Sequence, residues 1–454
     1  MISALEAQWR SQNGPIMEEK QFEKRQQLRL RDISGRCGIE LNRDAIIPSP
    51  ETGDGVYEAA IELGKDVGLY HMGTHRVIEF SEEELRYAAK TRKREFTLGE
   101  GKDRVTIRTR SMGDERPPVN IVGPAGNPIT EEFYVPIHLS YAQLPEAQGV
   151  VPGSLIAARG FRNDPGTPGE LFCVLSEAKM MQEVARRAGK PGMIFGESPM
   201  SATSEFAAIA SYNPNGYKST TSMIPMQVYP GLKIGWHQLI LSAYAQEFGI
   251  EPFSMAFIVL GAFSRDPLET AILATAGSLM LISINHANML YSGTVPARAV
   301  DPRAMMQTEV LKLLSLGRNT GISIASTCGG FAGACTKRVL YENCLMGFTQ
   351  AAAGCAILTF GMASGGLVPN GSTGMEGKMV CEAGMASAGI DRRDANEIIN
   401  NVYALYEDQY YTPMPGKPFP ECYDVIKVEP TDEYKQIYRD AKKGLRKAGV
   451  PFKY

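Results

Sequence analysis

The sequence predicts an α/β protein built on a (β/α)8 TIM barrel, with a helical and strand extension before the barrel and accessory helices after it. Three observations carry this reading. Short apolar runs recur along the middle of the 454-residue chain, at Val119–Val122, Ser154–Ala158, Gly192–Phe195, Met223–Val228, Ala256–Leu260, Leu279–Ile284, Gly321–Ala325 and Cys355–Phe360. Amphipathic stretches of helical length, such as Glu170–Ala188, Arg303–Leu316 and Thr336–Ala353, lie between most of them. The runs are apolar throughout rather than alternating, as parallel strands covered on both faces must be. Eight such units over about 240 residues suffice to close a barrel. An open doubly wound sheet is the competing arrangement.

The flanks read differently. Residues 1–115 are charge-rich and helical in pattern. Ser81 is placed to cap a helix that Glu84 answers from its third position. A strand or hairpin is expected at Arg104–Thr109, where Val105 and Ile107 alternate, and Pro117-Pro118 then breaks the chain. The barrel is expected over 116–370. In 371–454, helices are expected at Glu376–Ala388, Asp394–Tyr406 and Thr431–Ala448, the last capped by Thr431. A Pro/Gly-rich loop, Thr412-Pro413-Met414-Pro415-Gly416-Lys417-Pro418, separates them.

Composition excludes several classes of function. A formal net charge of −3 provides no field for nucleic acid or an anionic membrane. The eight cysteines are scattered with no CxxC pair, which is not the pattern of a disulfide-stapled secreted domain. No basic-then-apolar leader opens the chain, and the apolar windows are too short to span a bilayer, so a cytoplasmic protein is expected. His71 and His75 have i,i+4 spacing but lack the glutamate of a zinc helix. Cys328, Cys335 and Cys344 are not spaced as a zinc set, and there is no Walker loop or dinucleotide fingerprint. No metal and no tightly bound cofactor are therefore expected.

Barrel enzymes build their sites at the carboxyl ends of the strands. The residues just past the runs include Arg159-Gly160, Gly196-Glu197, Gln227, Gly261, Asn285, His286, Asn288, Thr327, Cys328, Gly329 and Gly361. So many glycines at one rim suggest an open mouth that admits something large. Glu197 is the carboxylate that falls immediately at a strand end, a candidate acid, base or cation partner; a first-turn residue facing a helix dipole is the alternative. Phe195-Gly196-Glu197 is thus the expected centre of the site.

Longer blocks point to a family. Thr74-His75-Arg76, Glu95-Phe96-Thr97-Leu98-Gly99-Glu100-Gly101-Lys102-Asp103, Arg110-Ser111-Met112-Gly113-Asp114, Pro136-Ile137-His138-Leu139-Ser140-Tyr141-Ala142 and Gly189-Lys190-Pro191-Gly192-Met193 are five of them. Thr373-Gly374-Met375-Glu376 and Pro415-Gly416-Lys417-Pro418-Phe419-Pro420-Glu421-Cys422-Tyr423-Asp424-Val425 follow near the end. Nearly collinear from about residue 70 onward, they resemble the monomethylamine:corrinoid protein methyltransferases of methanogenic archaea. The resemblance implies a TIM barrel, a homohexamer, and methyl transfer from a methylated amine to the Co(I) of a corrinoid carried by a separate small protein.

The chain departs from the family at the centre of the site. Allowing one residue of slippage, Gly196 stands where the family carries pyrrolysine, whose imine captures the amine. Pro225, Met255 and Thr327 stand where the family places two glutamates and a glutamine. The resemblance with these changes implies a donor that arrives already activated, such as a quaternary ammonium or sulfonium compound. Glu197 would orient it, with Arg159, Gln227, Asn285, His286, Asn288, Thr327 and Cys328 facing donor or corrinoid. Tyr212, Tyr217, Tyr229 and Phe263 are candidate aromatic faces for a cation. The alternatives are a non-catalytic hexameric scaffold that binds the corrinoid protein and, more remotely, another barrel reaction such as an aldol cleavage or isomerisation.

Overall fold

The computed structural model describes residues 2–296 and 301–453. Eight parallel strands form its centre: β1 (Val119–Val122), β2 (Gly149–Val150), β3 (Ile194–Phe195), β4 (Met223–Val228), β5 (Glu251–Ala256), β6 (Met289–Ser292), β7 (Ser323–Gly329) and β8 (Ile357–Met362). Their spatial order is β3-β2-β1-β8-β7-β6-β5-β4, every neighbouring pair parallel. A parallel bridge from Phe195 to Ser222 joins the two ends and closes the barrel. Helices α1 (Glu131–Ala142), α2 (Pro168–Arg187), α3 (Glu205–Ser211), α4 (Trp236–Phe248), α5 (Pro267–Asn285), α6 (Pro302–Asn319), α7 (Lys337–Ala352) and α8 (Gly374–Ala386) follow the strands in turn.

Three of the apolar runs are not barrel strands. Ser154–Ala158 divides into two short pieces in the loop after β2, one paired with Pro128–Ile129 and the other with Phe161–Arg162. From the run Ala256–Leu260 only Ala256 belongs to β5; Ile258–Leu260 pairs with Thr294–Pro296 beyond the barrel's edge. Leu279–Ile284 is the second half of α5, and the strand it stood for is β6. Every residue of α5 from Leu268 to Asn285 is buried. A helix covered on all sides has no polar face, and its apolar run then looks like a buried strand. Among the described residues α5 is the one helix long and apolar enough to cross a membrane, and 94% of that window is buried inside the protein.

The N-terminal extension provides much of that cover. Helix Pro50–Val67 packs on both α5 and α6, so closely that a Cβ at Gly53 would lie 2.6 Å from the Leu314 carbonyl carbon. The Ser81 capping box forms as expected: Glu84 N–H donates to Ser81 Oγ (3.1 Å) and Ser81 N–H to Glu84 Oε2 (2.9 Å). Glu95–Leu98 and Val105–Arg108 make an antiparallel hairpin. Its Leu98 and Ile107 join Ile121, Ile194, Met223 and Ile357 in the barrel's interior. Gly99 N–H donates to Thr220 O and Glu100 N–H to Gly192 O. Both acceptors precede strands, so the hairpin plugs the amino-terminal floor and leaves the carboxyl end as the mouth. In the C-terminal segment, Thr431 Oγ1 accepts from Tyr434 N–H (3.3 Å) and caps the helix Asp432–Lys447.

Candidate functional site

Strand alternation decides which side chains reach the lumen. On β4, Ile224, Met226 and Val228 pack outward among the helices, so Met223, Pro225 and Gln227 face in. By the same alternation Phe253 and Met255 of β5, Met289 and Tyr291 of β6, and Ala325 and Thr327 of β7 face the lumen. On β8 the register shifts opposite Cys328 and Gly329. Phe360 sits there at φ 75°, a left-handed conformation that a bulky residue adopts only under compulsion. The twist turns its ring inward. Phe253, Tyr291 and Phe360 thereby form an aromatic chain across the lumen, with successive centroids 5.1 and 5.2 Å apart.

Gly196 follows β3 directly. A Cβ built on it would lie 3.0 Å from Ile121 Cγ2 and 3.1 Å from Val151 Cγ2, with Met223 Cε at 3.6 Å. All three belong to the lumen lining, so Gly196 faces the lumen and is closely covered by apolar groups. Pro225, Met255 and Thr327 face the same space.

Glu197 comes next, at φ 47° and 8% exposed. No hydrogen bond or ion pair to its carboxyl exists among the described residues, and burial alone pushes its pKa up to about 8. Its charge also acts on the Tyr291 hydroxyl, whose pKa burial first and Glu197 second drive upward, so carboxyl and phenol share the lumen. The Tyr291 hydroxyl is hydrogen-bonded to Thr327 Oγ1. A carboxyl at positive φ, buried with no partner among the described residues and close to Tyr291, can act as an acid, a base or the partner of a cation.

The structure redistributes the other residues singled out in the sequence. Gln227 and Thr327 reach the lumen. Asn285, His286 and Asn288 do not: with Leu279–Ile284 helical, they lie between α5 and β6, at the floor. There Asn285 Nδ2 donates to Ser254 Oγ (2.6 Å), His286 Nε2 is bonded to Ile2 O (2.9 Å), and Asn288 binds Glu251. Cys328 alternates away from the lumen into the layer between barrel and helices, where burial pushes its thiol up. Arg159 is exposed on the hairpin beyond β2, its guanidinium 5.0 Å from the Phe172 ring centroid on the outside of α2.

Of the four aromatic candidates, Tyr212 donates to Ser198 O (2.9 Å) and Tyr217 to Glu177 (2.7 Å), both behind the barrel wall. Tyr229 bridges to Lys233, and the Lys233 ammonium lies 5.6 Å from the Phe263 ring centroid. His71 and His75 are bonded to Thr74 and Tyr70. Phe253, Tyr291 and Phe360 were not singled out. The signal for Phe253 and Tyr291 is the inward register of β5 and β6, which is hidden when α5 is taken for a strand; Phe360 turns inward through the β7–β8 register shift.

A closed parallel barrel with a perturbed carboxyl at the carboxyl end of its strands is an enzyme of the TIM-barrel class. The family model described as "Monomethylamine methyltransferase MtmB" matches residues 2–450. Two relatives with that function in their names are 29% identical over 428 residues, covering 94% of this chain and 93% of theirs: MtmB of Methanosarcina mazei and MtmB1 of Methanosarcina acetivorans. The crystal structure of the Methanosarcina barkeri monomethylamine methyltransferase superposes with a TM-score of 0.94 at 27% identity, covering 99% of both chains. A hydroxylamine complex of MtmB superposes equally well. The chain belongs to the monomethylamine methyltransferase MtmB family, and it is a methyltransferase.

Proposed function

We propose that this chain transfers a methyl group from a cationic, methylated amine, more specifically a quaternary ammonium, to the corrinoid cobalt of a separate small protein. Family membership supports the acceptor. The donor reading rests on one observation: the buried Glu197 carboxyl has no partner among the described residues and shares an aromatic lumen with Tyr291. A permanent cation would supply that partner and lie against the faces of Phe253, Tyr291 and Phe360.

The mouth suits a large apolar partner face. Ile156 and Phe161 after β2, Phe206 in the first turn of α3, Phe331 after β7, and Leu367 and Val368 after β8 are exposed large apolar residues on mouth loops. Apolar groups clustered at one rim mark an interaction surface. The reduced corrinoid supplies the nucleophile when its protein docks there; this chain supplies position. Glu197 is protonated in the empty site below about pH 8 and releases its proton as the cation enters. Gln227 and the Tyr291–Thr327 pair set the polar side of the lumen, and the aromatic rings hold the donor nitrogen out of water. The C–N bond then breaks with its electron pair remaining on nitrogen. A quaternary donor leaves as a neutral amine and needs no general acid, in keeping with a site that has Gly196 where the family resemblance places an electrophile. Most of the barrier reduction comes from orientation. The same resemblance supports a homohexamer, which native mass spectrometry would weigh.

The test combines the chain, its corrinoid partner in the Co(I) state and a panel of donors, read by the corrinoid's visible spectrum. Quaternary ammonium compounds should change it and monomethylamine should not. A change with monomethylamine alone overturns the donor assignment. No change with any donor, while the corrinoid protein still binds, leaves the scaffold reading.

A further inference from the structure

Behind the lumen lies a second space, a cavity of about 170 Å³ between the end of β7, α6, α7 and the turn after the helix Arg392–Ala404. Met305, Met306, Leu345, Met346, Tyr406 and Tyr410 make its walls. The two carboxylates on its wall are already engaged: Glu309 is 3.0 Å from Lys312 Nζ, and Glu342 accepts from Arg338 Nε (2.8 Å) and Ala332 N–H (2.9 Å). Among the described residues the chamber therefore offers no free counter-charge to a cation. Its volume compares with that of the apolar cavity of roughly 150 Å³ that holds a benzene.

Two residues belong to both spaces. Thr327 lines the cavity and is bonded to Tyr291 in the lumen. Met362 lines the cavity and packs against the lumen cluster. The β7–β8 register shifts at this boundary. Gly329 presents no side chain there, and a Cβ on it would come within 3.2 Å of Met362 Cε. A bulge beside a site re-aims side chains, and methionine is the side chain that shifts most readily to open a gap.

We propose that this cavity is the subsite for an apolar substituent of the methyl donor. The donor is then an N-methylated ammonium carrying one group of about benzyl size: its charged head sits in the lumen by Glu197, and the substituent passes Thr327 into the chamber. The inference rests on the donor reading above and adds to it. A cation with methyl groups alone fills only the lumen.

Three probes test it by calorimetry and by methionine methyl NMR: tetramethylammonium, benzyltrimethylammonium and toluene. The benzyl compound should bind at least tenfold more tightly than tetramethylammonium, and toluene should shift the Met305 and Met346 methyl signals. Met346 is half-buried on the cavity wall, so M346W fills the chamber, and M346F is the milder variant should M346W fold poorly. In either variant the benzyl advantage should shrink toward one and the toluene shifts should disappear, while tetramethylammonium affinity stays within twofold. Tetramethylammonium binding without a benzyl advantage overturns the subsite and keeps the donor reading. Toluene binding without binding of either cation overturns the donor reading and keeps an apolar pocket. An advantage that survives both variants places the benzyl group elsewhere and also overturns the subsite.

Discussion

The two ends of this barrel each hold a glutamate, half-buried at the floor and buried at the mouth, and they use it in opposite ways. At the floor, Glu251 opens β5 with both oxygens engaged: Oε1 accepts from Asn288 N–H (2.6 Å) and Oε2 from Asn288 Nδ2 (2.9 Å). Burial raises its pKa, while those bonds and the nearby Arg92 pull it back. At the mouth, burial raises the Glu197 pKa and no partner among the described residues opposes it. The floor carboxyl is satisfied by its own chain and holds β5 to β6. On the proposed reading, the mouth carboxyl is left for the cationic donor. Burial alone does not distinguish a structural acid from a functional one; the partner count does.

Exchanging the charge at each end is the sharpest way to break this contrast. E197Q keeps the shape and removes the counter-charge of a desolvated cation, a loss of roughly 3 kcal/mol or more. This corresponds to a fall of about 10²-fold in kcat/KM for a quaternary donor, checked by steady-state assay with the corrinoid partner. Unchanged kinetics would remove Glu197 from the site. E251A should show the opposite. It strands the Asn288 donors at the floor and costs roughly 2–3 kcal/mol of stability, read by denaturant unfolding, with kcat/KM of the folded enzyme within twofold of the parent.

The pH dependence separates the two ends more gently. Glu197 titrates at about 8 in the folded chain against an ordinary 4.5. Between those values the folded state holds a proton that the unfolded state has released. Stability therefore falls as pH rises through that window and levels off above about 8, by up to about 1.4 kcal/mol for each unit of pH. Quaternary-donor affinity should move the other way, rising up to tenfold per pH unit toward pH 8 and then flattening. E197Q should abolish the second trend and weaken the first. Calorimetry at pH 6, 7, 8 and 9 reads the affinity, and urea melts read the stability.

Much of this contrast was legible before any coordinates, and the part that was not has a physical cause. The barrel followed from runs such as Val119–Val122 and Met223–Val228, which alternate with helices. Glu197 at the end of β3 followed from the rule that places sites at carboxyl ends. The floor and the mouth were confused at α5. Its residues are buried on every side, so it carried no helical periodicity, and Asn285, His286 and Asn288 were assigned to the wrong end. The inward Phe360 was out of reach for a different reason. Its orientation depends on a register shift between β7 and β8, and such a shift is set by neighbouring strands rather than by the local sequence. Cys328 was misassigned because strand alternation, correct in period, needs a correct phase to say which face is which.

The smallest expected effect compares two threonine hydroxyls. In the floor hairpin Thr97 Oγ1 lies 3.1 Å from Thr106 Oγ1 on an exposed face, where water replaces either partner. T97V should change stability by less than about 0.5 kcal/mol and leave kinetics alone. In the lumen Thr327 holds the Tyr291 hydroxyl, which is buried and flanked by Phe253 and Phe360. T327V leaves that phenol unpaired at a cost of about 1 kcal/mol and frees its ring to turn. If Tyr291 presents its face to the donor nitrogen, kcat/KM should drop about fivefold, and the loss should appear in donor affinity as well as in rate. If T327V and T97V behave alike, the Tyr291–Thr327 pair is packing, and the polar part of the mouth reduces to Glu197 and Gln227.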